Sequence, residues 1–168
     1  SRSAALAFGG TTGTNTAATE EFNSTIFSPA TGAWASGGNM NTARALLGSA
    51  GTQTATVGFG GETQAGPGNS TAVTEKYDGS TWTTSGNMGT ARYGLASAGT
   101  QTAALGFGGY RNTSPSGRKA ETEKFDGSTW TSTGNLNTAR DGLGGVGTQT
   151  AALAFGGYST TFSGATES

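Results

Sequence analysis

The sequence predicts an all-β fold made of a repeated four-stranded antiparallel unit, and three observations carry that prediction. Tryptophans Trp34, Trp82 and Trp130 stand 48 residues apart, and Arg44, Arg92 and Arg140 keep the same interval. Phe-Gly-Gly triplets begin at Phe8, Phe59, Phe107 and Phe155, at intervals of 51, 48 and 48, while the step from each Trp to the following Phe is always 25. The three extra residues of the first interval therefore lie between Phe8 and Trp34, as an insertion in one loop. Composition is the third observation: 31 of the 168 residues are glycine, and no long apolar run or heptad pattern occurs. A fixed period of about 20–50 residues marks units that bury their apolar faces only against neighbours of the same kind.

The clearest copy runs from Arg92 to Trp130. Leu95-Ala96-Ser97-Ala98 is a short run of small and apolar residues, as are Leu46-Leu47-Gly48-Ser49-Ala50 and Leu143-Gly144-Gly145-Val146. Small side chains suit an innermost strand, crowded by its counterparts around an axis. Gly99-Thr100 follows, and a Gly-X pair between two strand-like runs predicts a tight hairpin with glycine first, where φ must be positive. The second strand, Gln101 to Phe107, ends at Gly108-Gly109, where a missing Cβ permits a bend or a close backbone approach. A variable connection leads to the third strand, Thr122-Glu123-Lys124-Phe125, and Asp126-Gly127 turns the chain into the fourth at Trp130. Asp78-Gly79 does the same before Trp82. In the first copy either Phe22 or Phe27 takes the place of Tyr77, and the pattern does not choose between them.

Four short strands per repeat make a meander, and meanders arranged radially make a β-propeller. A double glycine after an apolar strand, an aromatic-Asp step, a Trp near the fourth strand and an Arg about ten residues later resemble the kelch repeat. The resemblance covers nearly the whole chain and implies a single partial propeller over residues 1–168, with repeats near 1–42, 43–90, 91–138 and 139–168. The wording Thr-Glu-Lys-aromatic, Asn-x-x-Thr-Ala-Arg and Gly-Thr-Gln-Thr-Ala-Ala-Leu is also similar to repeats of structural proteins of tailed phages and uncultured marine sequences. That implies an extracellular or virion setting.

Composition excludes much chemistry. The net charge of −1 offers no basic patch for nucleic acid, and no polybasic or long apolar segment points to a membrane. Without histidine or cysteine the usual general base, thiol nucleophile and transition-metal ligands are missing. The copper oxidases built on kelch propellers need both residue types, so the resemblance does not imply that activity. The Asp-Gly pairs lack the alternating oxygen ligands of a calcium loop and read as turns. Neither metal nor cofactor is expected. The start at Ser1-Arg2-Ser3, without Met, is read as processed or trimmed.

The repeated Arg residues invite two readings: an anion-binding rim, or ties between repeats through carbonyls and the Glu75 and Glu123 carboxylates. The second is expected, as is core packing for all three Trp. Sequons at Asn23, Asn69 and Asn112 are no more than this Ser/Thr-rich composition would produce. Subtracting the template leaves Tyr93, Tyr110, Tyr158 and Phe162, in or beside the loops that follow Gly-Gly, with Arg111, Arg118, Lys119 and Asp141 among them. Tyr93, Tyr110, Arg111, Asp141 and Tyr158 are the candidate binding residues, for a glycan or a protein partner. The alternative is a purely structural unit of a larger assembly. About 3.5 repeats are too few to close a ring of four to eight blades. Either a homodimer or further repeats of a longer chain are expected to cover the terminal faces.

Overall fold

The structure, a computed structural model, describes residues 2–25, 33–64, 68–112 and 117–168. It is all-β: the described residues contain 16 strands in antiparallel sheets and no helix. The first sheet has the order β1 (Arg2–Phe8), β2 (Thr19–Thr25), β3 (Ala33–Ser36). The second is a complete meander of β4 (Gly48–Thr52), β5 (Ala55–Phe59), β6 (Thr74–Tyr77) and β7 (Trp82–Ser85). The third begins with β8 (Ala96–Thr100) and β9 (Ala103–Phe107), and a small hairpin of β10 (Tyr110–Arg111) and β11 (Gly117–Arg118) stands in the connection that follows. It is completed by β12 (Thr122–Phe125) and β13 (Trp130–Thr133). The fourth holds β14 (Gly144–Gly147), β15 (Ala152–Phe155) and β16 (Thr166–Glu167). Among the described residues no strand of the first sheet pairs with one of the fourth.

Register identifies equivalent positions. Phe8, Phe59, Phe107 and Phe155 stand opposite Thr19, Thr74, Thr122 and Thr166. Phe22 pairs with Trp34 as Tyr77 pairs with Trp82 and Phe125 with Trp130, so Phe22 takes the Tyr77 place. Phe27 lies outside the described residues.

The initial strands β4, β8 and β14 lie side by side, β8 between the other two. Their small residues follow from that crowding. Ser97 Oγ donates to Ser49 O at 2.6 Å, and a Cβ built on Gly145 would stand 2.7 Å from Ser97 O. The hairpin expected at Gly99-Thr100 is two residues further on: Thr100 pairs with Ala103, leaving Gln101-Thr102 as the turn. Gly99 sits inside β8 at φ 102°, where a Cβ would meet Ala103 O at 2.1 Å. Glycine is thus required by the approach of the partner strand, not by the turn.

That shift frees Gln101 to act on the preceding sheet. Its Nε2 donates to Thr56 O at 3.1 Å and Tyr77 O at 2.6 Å, and Gln149 reaches Ala104 O and Phe125 O in the same way. The Gly-Gly step makes a second tie. Gly61 N donates to Arg92 O at 2.9 Å, and a Cβ on Gly60 would stand 2.7 Å from that same carbonyl.

Aromatic packing joins the sheets in one direction. Trp82 packs on Phe8 of the preceding sheet at 4.8 Å and donates its Nε1–H to Thr19 Oγ1 at 3.0 Å. Trp130 repeats this on Phe59 at 4.6 Å and Thr74 Oγ1 at 3.0 Å. Trp34 departs from the expectation of core packing: it is 50% exposed, its ring meeting only Phe22 among the described aromatics. The reason is directional, since each such Trp packs on the Phe of the sheet before it and Trp34 belongs to the first.

The Asp turns hold as predicted, over four residues. Asp78 Oδ1 accepts from Ser80 N, Ser80 Oγ and Thr81 N at 2.8–2.9 Å. Hydrogen bonds from the Thr81 and Ser80 backbone and hydroxyls lower its pKa to about 2, and Asp126 is lowered by the same set. A carboxylate depressed below its ordinary value contributes stability that is complete above about pH 4 and is lost as pH falls towards 2. The melting temperature is therefore expected to drop across that interval, and Asp78→Asn with Asp126→Asn to flatten the drop in a pH series of thermal melts.

Candidate functional site

The connections that follow Gly-Gly are joined to their neighbours by side-chain and backbone hydrogen bonds. Asn15 Nδ2 donates to Glu62 O at 2.6 Å, and Ser70 N donates to Asn112 Oδ1 at 3.0 Å. Tyr93 and Tyr110 exchange backbone hydrogen bonds at 3.0 and 2.8 Å, as do Asp141 and Tyr158 at 3.1 and 2.8 Å. These bridges carry the aromatic residues left over from the repeat template into one strip.

Arg118, on β11, is its centre. The guanidinium carbon lies 4.3 Å from the Tyr158 ring centroid and 5.7 Å from that of Tyr110, and Nε lies 2.6 Å from Asp141 Oδ1. Tyr93 continues the strip at 5.7 Å from Tyr110, and Phe162 extends it at 5.3 Å from Tyr158. Phe162 is 90% exposed. Burial raises the Tyr93 pKa, the neighbouring Glu62 carboxylate, Tyr110 and Asp141 adding to the rise and Arg118 opposing it. The strip thus combines flat aromatic faces with a cation held in place by a carboxylate and two rings. Such a surface stacks on sugar faces or planar side chains.

Of the predicted binding residues, Tyr93, Tyr110, Asp141 and Tyr158 come together here. Arg111 stands beside Tyr110, opposite Gly117 in the small hairpin. Arg118 and Phe162, weaker candidates in the sequence, hold the centre and the exposed end.

The repeated arginines do not form a rim, and their side chains do not themselves tie one repeat to the next: each binds carbonyls and a carboxylate of its own repeat, and only the carboxylate reaches the backbone of the repeat before. Arg44, Arg92 and Arg140 are fully buried. Arg44 donates to Gly60 O at 3.0 Å, to Val73 O, to Gly58 O at 3.4 Å and to Glu75 Oε1 at 3.0 Å. Arg92 makes the same set with Gly108 O, Glu121 O, Gly106 O and Glu123. The carboxylates are equally engaged: Glu75 also accepts from Asn41 N and Thr42 N, and Glu123 from Gly89 N and Thr90 N. Burial lowers the Arg44 pKa to about 10 against the opposing effect of Glu75.

One strained residue stands near the initial strands. Leu46 has φ 55° where its equivalents Gly94 and Gly142 have 61° and 63°, and it is 55% exposed. Gly94 N donates to Leu46 O and Gly142 N to Gly94 O, each at 2.8 Å, so the conformation is imposed by a hydrogen-bonded row. Left-handed backbone costs a non-glycine residue about 1–2 kcal/mol, of which the entropy of a new glycine returns about 0.5–1. Leu46→Gly is expected to stabilise the chain by about 0.5–1 kcal/mol in urea titration. An unchanged midpoint would mean that the exposed Leu46 side chain makes an equal contribution.

Among the described residues no group of three or more carboxylates is placed to hold a metal ion, and no helix is long and apolar enough to cross a membrane. No protein-family model matches the chain, and no curated protein matches it.

Proposed function

We propose that the chain is part of a kelch-like β-propeller, each sheet a blade, and that it works as a non-catalytic binding module. Its blade-end connections present an aromatic surface to a glycan or a protein partner in an extracellular or virion setting. The observation that carries the reading is the strip of Tyr93, Tyr110, Arg118, Tyr158 and exposed Phe162. These are aromatic residues the repeat does not require, gathered from three connections onto one surface. The reading of the molecule as a binder is supported further by the carboxylates of the repeat. Glu75 and Glu123 are held by arginine and backbone N–H groups, which leaves neither as a free acid or base.

A glycan array probed with the labelled chain tests this. Binding to a defined sugar class is expected, with Tyr110→Ala and Tyr158→Ala each weakening it by about tenfold, the loss of one stacking contact of about 1.4 kcal/mol. Binding unchanged in both variants would place the surface elsewhere.

A second reading, a structural unit of a larger assembly, is favoured by the terminal sheets. Trp34 on the first and Val146, Leu153 and Phe155 on the fourth are 50%, 53%, 38% and 42% exposed. Apolar residues grouped in this way mark surfaces that are covered in the working assembly. Ordered self-association without any glycan ligand would support it.

A further inference from the structure

Arg118 and Asp141 meet inside the strip with hydrogen-bonding capacity to spare. Arg118 Nε lies 2.6 Å from Asp141 Oδ1, yet its N–H does not aim at that oxygen, and neither atom completes a hydrogen bond among the described residues. Charge and stacking hold the guanidinium instead, over Tyr158 at 4.3 Å and beside Tyr110 at 5.7 Å. Nη1 and Nη2 of Arg118, both donors, and Oδ2 of Asp141, an acceptor, carry no hydrogen bond among the described residues either. The two side chains remain 31% and 26% exposed, so these atoms face solvent rather than the interior.

Backbone pairing fixes the arrangement. Tyr110 stands opposite Arg118 in the hairpin of β10 and β11, and Asp141 is bridged to Tyr158. The repeat does not demand this set: 48 residues before Tyr110, Arg118 and Asp141 stand Glu62, Ser70 and Tyr93, with Glu62 bridged to Ser70 in the same way. The backbone frame is therefore common to the repeats, and the donor, the acceptor and their aromatic flanks are particular to this one place.

Charge then selects the ligand. The pair is neutral as a whole, and a ligand carboxylate drawn to the guanidinium edge would be brought up against the Asp141 carboxylate. Two neighbouring hydroxyls suit both partners: one accepts from Arg118 Nη and the other donates to Asp141 Oδ2, each bond strengthened by the charge on the protein side. We propose that Arg118, Asp141 and Tyr110 form a subsite for a neutral pyranose through its vicinal hydroxyls, an inference that rests on the strip being the binding surface. Tyr158 positions the guanidinium by stacking on it, and Tyr110 offers its ring to the C–H face of the sugar.

The test titrates the full 168-residue chain with the methyl pyranosides of glucose, galactose and mannose and with the uronate of each, followed by saturation-transfer NMR. At least one neutral sugar is expected to bind saturably, about tenfold more tightly than its own uronate. Asp141→Asn, which keeps the size and removes the charge, is expected to weaken the neutral sugar and to move the neutral-to-uronate ratio about tenfold towards the uronate. A tie that only joins two connections would weaken both forms alike, so an unchanged ratio overturns the proposal, as does a wild-type chain that favours a uronate. The wild-type chain also gives a measure that needs no variant. Among the monodeoxy forms of the bound sugar, two that lack adjacent hydroxyls should each bind at least about tenfold more weakly, and equal binding of all of them overturns the proposal. No saturable binding of any pyranoside overturns it too, and leaves a protein as the partner of the strip. Binding that Tyr110→Ala abolishes, but without preference for the neutral form, counts against the subsite alone and leaves the strip standing.

Discussion

Trp82→Ala is expected to lower the unfolding free energy by about 3–5 kcal/mol, the range for large aromatic truncations in packed cores. The side chain is 5% exposed, lies 4.8 Å from Phe8 and 5.2 Å from Tyr77, and donates to Thr19 Oγ1. Truncation opens a cavity between two sheets and leaves Thr19, itself 1% exposed, without its donor. Because Trp82 packs across the joint with Met40, Leu6, Phe8 and Leu47, the loss is expected to fall on the joint between repeats, and cooperativity should fall with it. Urea unfolding followed by tryptophan fluorescence and by far-UV circular dichroism reads both effects. The control is Trp34→Ala, expected to cost under about 1 kcal/mol as an exposed substitution, because Trp34 is half exposed. Equal losses for the two would remove the directional packing rule on which the reading of the terminal sheets depends.

Arg92→Ala is expected to be as damaging, about 3–5 kcal/mol, because removing one member of a buried ion pair strands the other. Glu123 would keep its backbone donors Gly89 N and Thr90 N but lose its cation, while Gly108 O, Glu121 O and Gly106 O would lose a donor in the interior. Arg92→Lys should recover little, since an ammonium cannot reproduce the planar fork that reaches three carbonyls and a carboxylate together. The double variant Arg92→Ala with Glu123→Gln should be less destabilised than the two single losses added, and a double-mutant cycle measures that coupling. Strict additivity would mean that Arg92 acts only through the carbonyls.

The same cradle explains why the repeat was so legible. Arg44 with Glu75 inside a repeat, and the Gly-Gly step and the small residues of the initial strands between repeats, each meet a neighbour at close range, and each recurs because every unit makes the same demand. Periodicity in the sequence is the imprint of those joints. Where a residue acts across a joint through a flexible side chain, the imprint was visible but its meaning was not. Gln101 recurs as plainly as Arg92, yet nothing in its type says that it reaches two carbonyls of the previous sheet. The displaced hairpin turn has the same origin: a Gly-X pair looks alike whether glycine serves the turn or the approach of Ala103.

The tyrosine strip was legible only by subtraction. Tyr93, Tyr110, Asp141 and Tyr158 stood out because the template did not need them, but their convergence on Arg118 depends on backbone bridges between separate connections. By itself, the sequence determined the all-β class and the 48-residue period, since identical units repeat identical chemistry. Tertiary structure alone decided that Phe22 pairs with Trp34, that Trp34 is exposed, and that Arg118 draws tyrosines of separate connections together. Those outcomes turn on which neighbour a face meets, and a residue's type is the same whether that neighbour is present or absent.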